Sequence, residues 1–299
     1  MSMLFRTLKD LASLVLSRHR DDAEGMVPGD ARSLCEAGLA CHARGEFALA
    51  LEYCERALRI DPDFAEASDL KAHIILGGDG YTKVLARIFQ QLRPRSYVEI
   101  GVFRGATLQL ARPPTIAIGI DPEPMLARPP APNHRIFAQT SDAFFAAHDL
   151  GAELGGLPVD LAFIDGMHQF EFALRDFMNL ERACSRESTI LVHDSYPLDR
   201  ASAERVRQRR FWIGDVWRLV VLLKKYRPDL AIHNIGAPPS GLAVVRNLEP
   251  ASRVLQENYG RLCEEFLALD YAFLEDDKPQ KLNLYPNDPE KIRALLGVT

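Results

Sequence analysis

The five cysteines, Cys35, Cys41, Cys54, Cys184 and Cys263, include no C-x-x-C pair and are odd in number. Such a set argues against a disulfide framework and for free thiols in a reducing compartment. Cys35, Cys41 and Cys54 stand where small helix-packing residues are wanted and read as core filler. Positive charge is also scarce: the formal net charge is -5. With no basic domain and no Lys/Arg stripe, the electrostatic case for nucleic acid falls away. The short basic run Arg207-Gln208-Arg209-Arg210 reads as a solvated helix face. No apolar run is long enough to span a bilayer, so no membrane partner is expected. Near the start, Leu4, Phe5, Leu8, Leu11, Leu14 and Leu16 are interrupted by Asp10, and no small-residue cleavage site follows. That stretch reads as an amphipathic helix docking on its neighbours rather than a secretion signal, and a cytoplasmic protein is expected. The dinucleotide fingerprint G-x-G-x-x-G is missing as well.

The 299 residues, 47% hydrophobic and 26% charged, suit one α/β domain of ordinary size with something smaller attached. From about residue 31 to 77 the apolar residues recur at three- and four-residue spacing, which predicts helices. From residue 95 onward, β-type runs at 97–100, 116–120, 159–164, 189–192, 230–233 and 242–245 alternate with helical stretches. Such alternation predicts a Rossmann-like, doubly wound, mainly parallel sheet covered by helices. Gly77-Gly78-Asp79-Gly80 is the natural hinge, dividing the chain into a helical region 1–78, an α/β domain 79–250 and a helical extension 251–299. The extension is a candidate lid over an acceptor or a dimer contact. In the first region, Ala37-Gly38, Gly45, Ala50, Ala57 and Pro62 resemble a tetratricopeptide repeat over about 31–64. About three repeats are usually needed to bury their faces, so this one is expected to lean on other helices, a second copy or a protein partner.

The α/β region opens on the strand ending in Glu99, followed by a turn from Gly101 to Gly105 and a helix expected from about Ala106. A glycine turn between strand and helix is where α/β folds hold nucleotide-like ligands. Here the pattern is Glu99-x-Gly101-x-x-x-Gly105. A carboxylate on the strand repels a pyrophosphate but suits a ligand with an ammonium and a sulfonium, which favours S-adenosylmethionine over NAD. Asp121, twenty residues after Gly101, ends the second strand and is placed to accept hydrogen bonds from ribose hydroxyls. Ser141-Asp142 follows a third strand near 136–138 and is placed for the adenine amino group.

The fourth and fifth strands end in Asp165-Gly166-Met167-His168 and Leu191-Val192-His193-Asp194. The ends of the first and fourth strands flank the ligand crevice of such sheets, which puts Asp165 and His168 beside the cofactor and Asp194 in the same crevice. Strict alternation would turn His193 to the opposite face. Trp212 and Trp217 are candidates for stacking on an acceptor.

The run Ile164-Asp165-Gly166-x-His168-x-Phe170-Glu171 and the segment Leu191-Val192-His193-Asp194 resemble the small-molecule methyltransferases grouped around the macrocin and mycinamicin sugar O-methyltransferases. Gly214-Asp215-Val216-Trp217 and Pro239-Ser240-Gly241-Leu242 fit the same group, and the resemblance spans roughly residues 80–250. It implies the class I methyltransferase fold and O-methyl transfer to a small hydroxylated acceptor with help from a divalent cation, usually magnesium. On that reading Asp165 and Asp194 are metal ligands and His168 is the general base. Ser195 departs from the group, where an acidic or amide ligand is common. Two other classes fit the scaffold: an oxidoreductase or hydroxylase, disfavoured by Glu99 and the missing fingerprint, and a non-catalytic adaptor built around the repeat.

Overall fold

A computed structural model describes residues 29–297. The amphipathic helix expected before residue 20 lies outside them. The described residues form two compact units, one running up to Gly77 and including Arg207–Trp212, the other made of Gly78–Val206 and the chain from Ile213 onward. The division at Gly77/Gly78 falls in the glycine hinge.

The first unit holds α1 (Ala31–Ala43), α2 (Phe47–Ile60) and α3 (Ala65–Leu76). Asp30 caps α1 by accepting the Ser33 N–H at 2.8 Å. A Cβ on Gly38 would stand only 3.3 Å from the Ala50 carbonyl oxygen and from Tyr53 Cβ. Ala50, Cys54 and Ala57 line the inner face of α2 and are fully buried. Small side chains on both helices therefore set their close approach. The core is filled by Leu34, Cys35, Leu39, Cys54, Ala67 and Leu70. Burial pushes the Cys35 and Cys54 thiols up to about 12, so both are inert filler. The basic run is not the helix face expected of it. It forms a turn in which Arg207 bonds the Arg209 carbonyl, and the Arg210 N–H donates to Asp63 of this unit.

The second unit is built on an eight-stranded sheet of β1 (Ser96–Ile100), β2 (Ile116–Ile120), β3 (His134–Phe137), β4 (Val159–Ile164), β5 (Cys184–His193), β6 (Ala231–Ile235), β7 (Leu242–Arg246) and β8 (Leu284–Tyr285). Its order is β3-β2-β1-β4-β5-β7-β6-β8. The strands from β3 to β5 are parallel, and β7 runs antiparallel to both neighbours. Central β1 is buried at every residue, as a strand covered on both faces must be. The helices that follow are α4 (Tyr81–Leu92), α5 (Ser141–Ala147), α6 (Leu150–Glu153), α7 (Phe170–Ala183), α8 (Trp217–Tyr226), α9 (Val254–Glu257), α10 (Tyr259–Leu267), α11 (Ala272–Glu275), α12 (Lys278–Lys281) and α13 (Pro289–Leu295). No helix among the described residues is long and apolar enough to cross a membrane.

Two elements differ from expectation. The helix expected from Ala106 is reduced to a 3-10 turn at Leu108–Leu110, because Pro113-Pro114 follows too soon. A residue before proline is pushed out of the helical region, and the few residues left cannot repay nucleation. The extension 251–299 is helical except for β8, which pairs with β6 and widens the sheet. Ile292 and Leu296 are buried in one cluster with Val84, Leu85 and Ile88 of α4.

Candidate active site

Register brings the functional strand ends side by side. Ile100 pairs with Ile164, and Ile164 with Val192, so Gly101, Asp165 and His193 leave neighbouring strands at one edge. Strands lie about 4.8 Å apart, which is hydrogen-bonding range for side chains at their tips. Gly101 has φ +88, and a Cβ there would lie 1.9 Å from the Asp165 carbonyl oxygen. Only glycine lets the β1 and β4 turns approach this closely. Phe103, in the left-handed region at φ +46, donates its N–H to Asp121 Oδ2 at 2.7 Å. Asp121 Oδ1 accepts the Glu123 N–H at 2.8 Å. Asp121 thus joins the tip of β2 to the turn between Gly101 and Gly105, and each oxygen keeps a lone pair for a ligand.

Glu99 is fully buried, accepting from Tyr97 Oη at 2.7 Å and from Thr107 Oγ1 at 2.6 Å. Burial pushes its carboxyl up to about 8 against the lowering effect of both hydroxyls. Its two oxygens hold the glycine turn in place from within the protein. Ser141 and Asp142 open α5 just after β3, and the Asp142 carboxylate is gripped by Arg175 of α7 at 2.8 and 2.7 Å. That hydrogen-bonded guanidinium holds Asp142 below the usual carboxylate range.

Asp165, His168 and Asp194 converge, with one ligand atom from each lying within 4.8 Å of the others. His168 Nδ1 is 2.8 Å from Asp194 Oδ2 and its Nε2 is 3.5 Å from Asp165 Oδ1. His193 is the correction: it faces this crevice, with Nδ1 3.0 Å from Asp165 Oδ1 and 3.3 Å from Asp194 Oδ1. The reason is local. Asp194 has φ +56, which breaks the strand's alternation and lets consecutive residues serve one site. Ser240 donates to Asp194 Oδ1 at 2.6 Å and lies 3.2 Å from His193 Nε2. Both ring nitrogens of His193 are thus engaged, Nε2 by Ser240 and Nδ1 by Asp165.

The electrostatics agree. Burial alone would depress His168, but Asp194 and Asp165 outweigh it and push the imidazole up to about 11. Burial likewise opposes the two carboxylates at His193, and the net direction is again upward. Asp165 is raised by burial yet held well below the usual carboxylate range by His193 and His168. Two acids and two imidazoles thus meet in one crevice. The Tyr81 ring lies over His193 with centroids 4.0 Å apart. Gly214 closes the other side, since a Cβ there would fall 1.7 Å from the His168 carbonyl oxygen, which accepts the Asp215 N–H at 3.2 Å. Asp215, fully buried, also accepts the Phe170 N–H at the start of α7.

The sequence pointed to Asp165, His168 and Asp194 but not to the supporting roles of His193, Tyr81, Ser240 and Asp215. The strings Gly214-Asp215 and Ser240-Gly241 carried a signal for two of them. Trp217 is an anchor at 1% exposure, set edge-on to Tyr271, and does not face an acceptor. A larger cavity of about 450 Å³ lies among Phe89, Arg93, Arg95, Leu110 and Arg112 near the opposite end of the strands, with no acid or imidazole in its lining.

Comparison with known proteins bears on this geometry. A methyltransferase-domain family model matches residues 98–195, and a tetratricopeptide-repeat model matches residues 31–64. No curated protein matches. Among solved structures, the O-methyltransferase TomG from Streptomyces achromogenes, in complex with SAM, is 17% identical, with 56% of this chain and 79% of that one covered at a TM-score of 0.44. Cofactor-bound Rv0187 from MTB is 17% identical, with coverage of 62% and 90% at 0.43. The O-methyltransferase from Bacillus cereus in complex with SAH is 13% identical, with coverage of 80% and 98% at 0.42. Residues 98–195, from β1 to just past β5, thus form a methyltransferase domain on a mostly parallel sheet, preceded in the chain by a tetratricopeptide repeat.

Proposed function

We propose that this domain methylates a hydroxyl of a small molecule, a sugar-bearing metabolite being the best fit. The observation that carries this reading is the meeting of Asp165, His168, His193 and Asp194 beside the Gly101 turn. Methyl transfer is an in-line displacement, so the site must align the acceptor oxygen with the sulfonium and take up a proton. Asp121 is assigned to the ribose, Gly101 and Gly105 to close approach of the methionine portion, and Ser141 with Asp142 to the adenine. Asp142 would share its carboxylate between the adenine amino group and Arg175. Glu99 is assigned to keeping the turn in shape and giving it a carboxyl partner beneath the cofactor's ammonium.

Two carboxylates are a fitting donor set for a hard divalent cation such as magnesium, with Asp165 and Asp194 as holders. When bound, the cation would supply Lewis-acid activation of the acceptor hydroxyl and offset the negative charge around His168. That offset matters, because an imidazole held protonated up to about 11 takes no proton at neutral pH. Once neutral, His168 is the group placed to accept the hydroxyl proton, and Ser240 and His193 keep Asp194 and Asp165 in position.

The test is transfer of labelled methyl from S-adenosylmethionine to a panel of sugars and phenols with magnesium present. An O-methylated product is expected, with His168→Ala lowering turnover about 10²–10⁴-fold and cofactor affinity by less than twofold. Methyl found on nitrogen or sulfur, or unchanged turnover in that variant, would overturn the assignment.

A further inference from the structure

Asp176 on α7 is 2% exposed, and its Oδ1 has no hydrogen-bond partner among the described residues. Buried carboxyl atoms are rarely left unsatisfied, and each such case calls for a physical reason. Ser141 is a hydrogen-bond partner of this carboxyl, while burial pushes it up to about 7. Asp176 lines a small cavity with Asp165, Gly166, His168, His193 and Asp194, at the floor of the candidate site itself. Its volume of about 10 Å³ is room for one water. A buried water needs two to four polar partners, and the lining supplies carboxylates, two imidazoles and the backbone of Gly166 and Met167. The turn above it is strained: His168 sits at φ +55. A non-glycine residue in that region persists only where its surroundings over-determine it. Gly214 and Asp215 hold the turn from one side.

We propose that Asp176 is a positioning residue that holds a single buried water under the turn from Asp165 to His168 and so fixes both side chains for reaction. Only the kinetic arm of the test rests on the methyl-transfer reading. In the full-length chain, Asp176→Leu removes the water's anchor, and Asp176→Asn keeps a polar partner for it. Amide exchange of the peptide covering residues 164–169 is expected to rise at least tenfold in the Leu variant and less than threefold in the Asn variant. Cofactor affinity by calorimetry should stay within twofold in the Asn variant and fall less than turnover in the Leu variant, which also loses the contact to Ser141. Turnover should fall at least tenfold in the Leu variant with an unchanged KM for the acceptor, and Asn should restore it. A high-resolution crystal structure of the unaltered protein, which needs no variant to fold, should show a water bonded to Asp176. An empty cavity, unchanged exchange in the Leu variant, or loss of turnover and cofactor affinity in parallel would overturn the proposal. If no acceptor is methylated, exchange and crystallography still decide it.

Discussion

At the scale of single residues, the site brings acids and imidazoles into direct contact. Asp121 spends one lone pair on each of two backbone N–H groups and has others to spare. Asp121→Ala should remove hydrogen bonds to a charged acceptor, costing about 1.5–3 kcal/mol of cofactor affinity, or tenfold and more in Kd. Calorimetric titration with S-adenosylmethionine checks this, and an unchanged Kd would remove Asp121 from the ribose. His168 makes a second prediction. Because Asp194 and Asp165 push it up to about 11 against its burial, the rising limb of activity with pH should lie far above neutrality without divalent cation. Added magnesium should move that limb toward neutral pH, and EDTA should abolish turnover there. A pH–rate profile indifferent to both would leave the carboxylates with no cation to hold.

At the scale of elements, three turns decide whether these side chains meet. The β1 turn approaches the β4 turn only because Gly101 lacks a Cβ, and the segment after β5 changes direction through the left-handed Asp194. The loop before α8 wraps His168 through Gly214, at φ +66 and with no space for a side chain. Gly214→Ala is therefore expected to force the loop away from His168. Adopting a left-handed conformation alone costs an alanine about 1–2 kcal/mol. Turnover should drop at least tenfold while far-UV circular dichroism is retained. Full activity in this variant would show that the loop does not brace the site. The missing helix after Gly105 belongs here as well, since Pro113-Pro114 leaves room for only a 3-10 turn.

At the scale of the whole molecule, buried carboxyls tie stability to pH. Glu99 and Asp176 are pushed by burial up to about 8 and about 7. Between the ordinary carboxyl range and those values, the unfolded chain releases protons that the folded chain keeps, so stability falls as pH rises. Above about pH 6.5 His168, raised to about 11, adds a loss of the same sign. The Glu99 contribution is therefore best read between about pH 5 and 6.5. There Glu99→Gln should flatten the fall of the urea midpoint with pH, and a slope equal to that of the unaltered protein would contradict it. Much of this architecture was legible in the chain: apolar runs at strand spacing, the hinge at Gly77, the small residues of α2, and Asp165, His168 and Asp194 at strand ends are local patterns, which periodicity and turn chemistry determine on their own. What only the tertiary structure decided involves partners far apart in sequence or departures from local rule. His193 enters the site because Asp194 breaks the strand's alternation. Asp142 is met by Arg175 from another helix, and β8 finds an edge that no short segment can announce. Burial belongs to the same class. Glu99 and Asp176 look like ordinary acids in the sequence, and only enclosure by distant parts of the chain removes the water that would otherwise keep them charged.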